Sequence, residues 1–298
     1  MQIVTDQGAD LSEEQAAGLN IHYVPLQITL EGKTYIGGVD IDYQTFYQML
    51  SDTQAFPSTS QPSPGDFAKL YRELAKTDPE ILSIHISSGI SGTVNAARMG
   101  AELVPEAHVT IFDTKTLSCP QGWQVEAAAR ALQAGWNLVE IINLLEKVRK
   151  YSEGMFTLSD LKYLIHGGRI SHLKGLMASV LKIKPVIAVG KDDGKYYTWG
   201  QEITFTRAIQ RIVNNISEKI QRGTTLRVQL LHGNNLNGVE MLRDRLNQSY
   251  ECWYNKMVPV APFLGAHTGP SLVGLAFAPL ELFNIPGLNI IPKAVAAT

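Results

Sequence analysis

The chain is expected to fold as two α/β domains, and three features predict this. Strand and helix signals alternate through the first half. Near residue 152 the pattern changes to a hairpin followed by further helices and strands. The length of 298 residues, 45% hydrophobic and 18% charged, suits two domains with a sizeable core and leaves no case for disorder. The expected division is residues 1–152, residues 153–283 and an irregular tail over 284–298, where Pro286, Gly287 and Pro292 interrupt regular structure.

The first strand begins at Ile3-Val4 and ends at Asp6. Ser12 and Gln15 have the spacing of a capping box for a helix through Ala17. Residues 21–30 and 33–41 read as extended segments joined at Glu31-Gly32, and a helix over 43–50 follows. The run Ser58-Thr59-Ser60-Gln61-Pro62-Ser63-Pro64-Gly65 is polar and proline-punctuated, so it reads as a loop. Ser63 is placed as an N-cap with Pro64 at N1 and Asp66 at N3. The helix it opens runs to about residue 76 and turns Phe67, Leu70, Tyr71 and Leu74 to one face. A strand over 81–86, a loop over 87–93, a helix through Glu102, a strand over 109–113 and helices over 121–134 and 138–151 complete this half. Such alternation implies a parallel sheet covered on both faces, with ligands at the carboxyl ends of its strands.

The second half opens with a helix over 160–165 that meets Gly167-Gly168. A helix over 172–181 sets Leu173, Leu176, Met177 and Val180 on one face, the ordinary pattern of a helix packed on a core. With Lys174 and Lys182 nearby it also reads as a lid able to make transient contact with a membrane surface. Residues 184–190 and 195–200 form a hairpin about Asp192-Asp193-Gly194. A helix (205–221), a strand (226–232), a helix (239–248) and extended segments (251–258, 272–278) follow.

Composition excludes several function classes. The formal charge of −2 and the lack of any basic run argue against nucleic acid. Cys119 and Cys252 cannot form a disulfide framework, and no Cys/His spacing resembles a zinc site. No secretory signal opens the sequence, and the apolar stretch 272–283 is too short to span a bilayer, so the protein is expected to be cytoplasmic.

Three loops carry the candidate chemistry: Thr59-Ser60-Gln61-Pro62-Ser63, residues 87–93, and His267-Thr268-Gly269-Pro270. The second joins a strand to a helix, where free N–H groups and the dipole favour an anion, with the Ser91 hydroxyl as an added donor. Thr59 and Ser60 are placed to supply another. The plainer alternative is that these hydroxyls only cap helices and turns. No phosphate-loop run is present, and Gly89-x-x-Gly92 lacks the first glycine of a dinucleotide loop, so no cofactor is expected. No lysine or arginine lies in any of the three loops, which suits a single carboxylate better than a polyanion.

These motifs, together with Gly167-Gly168-Arg169-Ile170, resemble the DegV family in order and spacing from Ile3 to about Phe277. Members resemble the FakB subunits of bacterial fatty acid kinase. The resemblance implies a three-layer parallel-sheet N-terminal domain and a two-layer mixed-sheet C-terminal domain, with a long-chain fatty acid between them. It implies that Thr59 and Ser91 bind the carboxylate, that His267 and Thr268 approach the same head group, and that Ser60, Gly92 and Thr93 belong to this site. Arg169, which on spacing alone reads as a surface ion pair or C-cap partner, is implied in phosphoryl transfer near the cleft mouth. The chain would then be a binding subunit, not itself an enzyme, presenting its cargo to a FakA-like kinase. The family often has glycine after the last motif's proline; Ser271 stands there. Burying about 15 methylenes at ~0.8 kcal/mol each amounts to roughly 12 kcal/mol, so the tail can supply affinity while hydroxyls orient the head group.

Two other classes fit some of the residues. Ser91, Asp113 and His267 follow the chain order of an α/β-hydrolase triad, but Gly89-Ile90-Ser91-Gly92-Thr93 lacks the final glycine of the nucleophile elbow. A sensor or small-acid binding module would use the same site with a different ligand.

Overall fold

The computed structural model describes residues 1–173, 183–221, 223–288 and 290–291. The strands Ile21–Val24, Gln2–Asp6, Glu80–His85 and His108–Asp113 form, in that order, a fully parallel sheet. Its two central strands are buried along most of their length, as a sheet covered on both sides requires. Successive residues serve opposite cores: Val4 and Ile81 meet Phe67, Tyr71 and Ala97 of the helices Pro64–Ala75 and Thr93–Glu102, while Ile3, Leu82 and Ile84 meet Trp123, Val125 and Leu145 of Ser118–Gln133 and Leu138–Tyr151. The capping boxes at Ser12 and Ser63 are both formed. Leu70, expected on the buried face, is only partly covered.

Residues 58–60 depart from expectation. They are a strand, Ser58–Ser60, on an antiparallel three-stranded sheet with Gln27–Leu30 and Lys33–Ile36. The turn between the latter two has Glu31 at φ 51° and Gly32 at φ 77°, the left-handed pair that matches strand twist. Ser58–Ser60 has no alternation of its own, and its neighbour in the sheet lies some thirty residues earlier in the chain, with Ile28 opposite Thr59.

The remaining strands form a mixed sheet in the order Tyr196–Glu202, Lys184–Val189, Glu153–Thr157, Val273–Pro279, Leu226–His232 and Cys252–Tyr254, with Val258–Pro259 beside Leu226–His232. Pairing is antiparallel except where Leu226–His232 meets its last two partners. Helices Phe205–Ile216 and Leu236–Ser249 cover one face through Ile209, Ile212, Leu242 and Leu246. The other face, including Phe156, Ile187, Leu231 and Ala276, joins the core of the parallel sheet. The two halves are thus joined by shared apolar packing, and a buried polar network reinforces it. Arg227 donates to Glu126 at 2.6 Å and to Asn255 at 2.7 Å, while Glu126 also accepts from Arg130 at 3.2 Å and Gln15 at 3.1 Å.

Neither Glu153–Thr157 nor the helix Pro262–Thr268 has a counterpart in the sequence reading. Both are short, and each is stabilised by distant neighbours. Leu288 and Ile290, in the expected irregular tail, are buried in the core. Most of the helix expected over 172–181 lies outside the described residues, which end with a 3-10 turn, Arg169–His172, and a buried Leu173. No helix among the described residues is long and apolar enough to cross a membrane.

Candidate functional site

The loop after Glu80–His85 is held by Ser87, whose N–H donates to Thr116 and whose hydroxyl donates to the Gly194 carbonyl at 2.7 Å. This ties the loop to the hairpin turn of the mixed sheet. Ser91 is buried, with its hydroxyl 2.8 Å from that of Thr93 and accepting the Thr93 N–H at 3.3 Å. Gly92 is the N-cap of Thr93–Glu102 and has no side chain to cap with, so the Ser91 oxygen takes part of that role. The Gln61 side chain of the first motif lies directly on Gly92. Sequence reasoning gave Gln61 no part in the site.

Helix Pro262–Thr268 starts with proline at N1 and ends against Gly269, at φ 73°. It sets His267 and Thr268 at its last turn, so the third motif is a helix end and not a loop. The Nε2 of His267 is 2.7 Å from the Thr59 hydroxyl. Burial, assisted by the nearby Arg169 charge, lowers the imidazole pKa to about 3, so the ring is neutral. Its Nδ1 has no hydrogen-bond partner among the described residues. The ring lies against Gly167, where an added Cβ would fall 2.2 Å from Nδ1. Gly168 follows at φ 76°, turning the chain into Arg169.

Arg169 donates to the Gly167 carbonyl at 2.7 Å, and among the described residues no carboxylate lies within ion-pair distance of it. The expectation places it near the cleft mouth. It lines one small cavity with Ser91 and His267, closed by Ile90, Phe263 and Tyr196. Tyr196 and Leu264 border this cavity and also a larger, nearly apolar chamber walled by Leu117, Phe156, Val189, Leu231 and Leu272. The chamber lies between the start of Ser118–Gln133 and the mixed sheet.

The expected residues therefore divide. Ser91, His267 and Arg169 line the polar end, Thr59 joins it through His267, and Thr93 joins it through Ser91. Thr268 lines the apolar chamber, and its hydroxyl donates to Leu264 within the helix. Ser60 is exposed, because alternate residues of its strand face opposite sides and Thr59 takes the inner one. The hydrolase arrangement is not assembled: Asp113 accepts from Ser88 and Lys115, and His267 bonds Thr59 rather than Ser91. Cys119 is fully buried, which pushes its thiol pKa well up despite its place in the first turn of a helix. No cluster of potential metal ligands occurs among the described residues.

The fold and site define a mixed α/β protein with an apolar chamber beside a small cavity, the latter lined by uncharged donors and by one cation that has no ion-pair partner among the described residues. The chain belongs to the DegV family: the family's model, described as "Uncharacterised protein, DegV family", matches residues 1–280. It is 34% identical over 273 residues to a DegV domain-containing protein of Staphylococcus aureus (strain N315), covering 92% of this chain and 96% of that one. Among solved structures, it is similar to a DegV family protein from Thermus thermophilus described by its fatty acid binding, with TM-score 0.82 and 30% identity, covering 94% of this chain and 99% of that one. It is likewise similar to DegV from Bacillus subtilis, described as a fatty acid binding protein, with TM-score 0.82 and 28% identity, covering 93% and 98%.

Proposed function

We propose that the protein holds one long-chain fatty acid, its tail in the apolar chamber and its carboxylate in the small cavity, and presents that carboxylate to a fatty acid kinase for conversion to acyl phosphate. One observation carries the reading above the others: among the described residues Arg169 has no carboxylate to pair with, and it lines a cavity beside the Ser91 hydroxyl and next to an apolar chamber. A partly buried cation without a counter-ion is costly unless a ligand supplies one. A carboxylate there would accept from Ser91 and pair with Arg169, while the neutral His267 donates through Nε2 to Thr59 and leaves the Thr59 hydroxyl free to donate. The fatty acid binding described for the similar proteins of Thermus thermophilus and Bacillus subtilis supports the same ligand class.

In this reading the chain performs no bond-breaking step. It orients the carboxylate and excludes water from the tail, and Arg169 stays beside the head group as charge grows on the transferred phosphoryl group. Native mass spectrometry of protein purified from bacteria should show one fatty acid per chain, and delipidated protein should rebind it with a rise in Tm. With ATP and a fatty acid kinase, the loaded protein should yield acyl phosphate. Repeated failure to find or rebind any acyl species overturns the binding role. Tight binding with no phosphorylation by any such kinase overturns the presenting role alone.

A further inference from the structure

We infer that Tyr196 is a further head-group residue, its phenol donating a hydrogen bond to the carboxylate beside Arg169. The inference rests on the fatty-acid reading above. Tyr196 opens the strand Tyr196–Glu202, opposite Val189, and is 4% exposed. Its ring packs edge-on against Phe156, with centroids 5.7 Å apart, and lies 6.2 Å from His172. It borders both the polar cavity and the apolar chamber, so it stands at the neck between them.

The phenolic oxygen of Tyr196 contrasts with those of Tyr47 and Tyr71, the two tyrosines buried more deeply than it. The Tyr47 hydroxyl donates to the Val260 carbonyl at 3.3 Å, and that of Tyr71 lies 2.8 Å from Ser83. Among the described residues the Tyr196 hydroxyl makes no hydrogen bond, and its oxygen is not among the fully buried unpaired polar atoms, so it reaches open space although the ring is buried. A hydroxyl on an otherwise buried tyrosine ring usually finds a partner. The neighbourhood says what the partner is. Arg169 is near enough for its positive charge to act on the phenol, and burial holds the proton on the oxygen by raising its pKa. A protonated phenol beside a guanidinium that has no ion-pair partner among the described residues, next to an apolar chamber, is a donor waiting for an anionic acceptor. The hydrophobic packing of the ring holds it there at little further entropic cost, since the strand and Phe156 already fix its rotamer.

The test is Tyr196→Phe, which keeps the ring and removes only the hydroxyl. Affinity is measured by displacement of a fluorescent fatty acid, once with palmitic acid and once with hexadecanol, which has the same tail and no carboxylate. The expected result is about a tenfold loss for the acid and less than a twofold loss for the alcohol. The Tm of the delipidated variant should equal that of the wild type, because the hydroxyl makes no hydrogen bond to the described residues. Equal losses for acid and alcohol, or a lower Tm without ligand, would mean that the hydroxyl serves packing, and no loss for the acid would mean that it does not touch the head group. Either result overturns the inference while leaving fatty-acid binding intact. Wild-type protein that takes up no palmitic acid overturns the functional reading itself, and this inference with it.

Discussion

Replacing Gly167 with alanine should damage the site without replacing any residue that lines it. Gly167 has φ −71° and ψ −3°, a right-handed conformation that alanine adopts freely, so the backbone itself is not the obstacle. The obstacle is space. The new Cβ would lie 2.2 Å from His267 Nδ1, 3.0 Å from its Cε1 and 3.1 Å from the Tyr163 carbonyl oxygen. His267 is buried and held to Thr59 at 2.7 Å, so it has to shift by more than an ångström and release that bond. Overpacking of this kind costs about 1–3 kcal/mol, or a fall in Tm on the order of 2–10 °C for a chain of this size. Losing the oriented Thr59 donor should also weaken fatty-acid binding by roughly tenfold. Gly168→Ala is the matched control. Gly168 sits at φ 76°, where alanine is strained by about 1–2 kcal/mol, yet nothing lies within 4 Å of the added Cβ and His267 stays in place. Both variants should lose comparable thermal stability, but only Gly167→Ala should lose affinity. Thermal melts and a fatty-acid titration on the two proteins decide it: equal effects on affinity, or none for Gly167→Ala, refute the reasoning.

Three further outcomes follow from the same geometry. Arg227→Ala leaves Glu126 buried with only Arg130 as a cationic partner and should cost about 3–5 kcal/mol in urea unfolding, so a loss below about 1 kcal/mol would show that the network between the halves is not stabilising. Burial raises the Asp10 pKa from 3.8 to about 7, against the hydrogen bonds from Ser118 and Ala261. A raised pKa gives stability that is full below pH 4 and is lost as pH climbs to about 7, on the order of 4 kcal/mol. His267 works the other way, since its lowered pKa gives stability that is present above pH 6.5 and is lost as pH falls toward 3. Melts against pH should therefore show the loss between pH 4 and 7 reduced in Asp10→Asn, and the loss below pH 6.5 reduced in His267→Gln; profiles parallel to the wild type would discount these shifts. Finally, a fluorophosphonate probe should leave Ser91 unlabelled, because His267 bonds Thr59 and Asp113 bonds Ser88; stoichiometric labelling would restore the hydrolase reading.

Much of this protein is determined by short-range rules that act within a few residues. The capping boxes at Ser12 and Ser63, the helix-period burial of Phe67, Tyr71 and Leu74, and the hairpin about Asp192-Asp193-Gly194 need only neighbouring residues to form, so they are legible in the sequence. The strand–helix alternation of the first half dictates the parallel sheet by the same local logic, and the family motifs point to the polar loops. Other features depend on partners far along the chain. Ser58–Ser60 becomes a strand only because Gln27–Leu30 offers its edge, and Glu153–Thr157 exists only between Val273–Pro279 and Lys184–Val189. The site shows the same division. Ser91 and His267 are visible as motif residues, but the inward turn of Thr59, the outward turn of Ser60, the closeness of Arg169 and the unpaired phenol of Tyr196 are decided by packing. Thr59 and His267 are 208 residues apart and meet only because the antiparallel sheet and the helix Pro262–Thr268 dock on one another. Local sequence specifies which groups are available, whereas the direction each one faces depends on what fills the space on its other side.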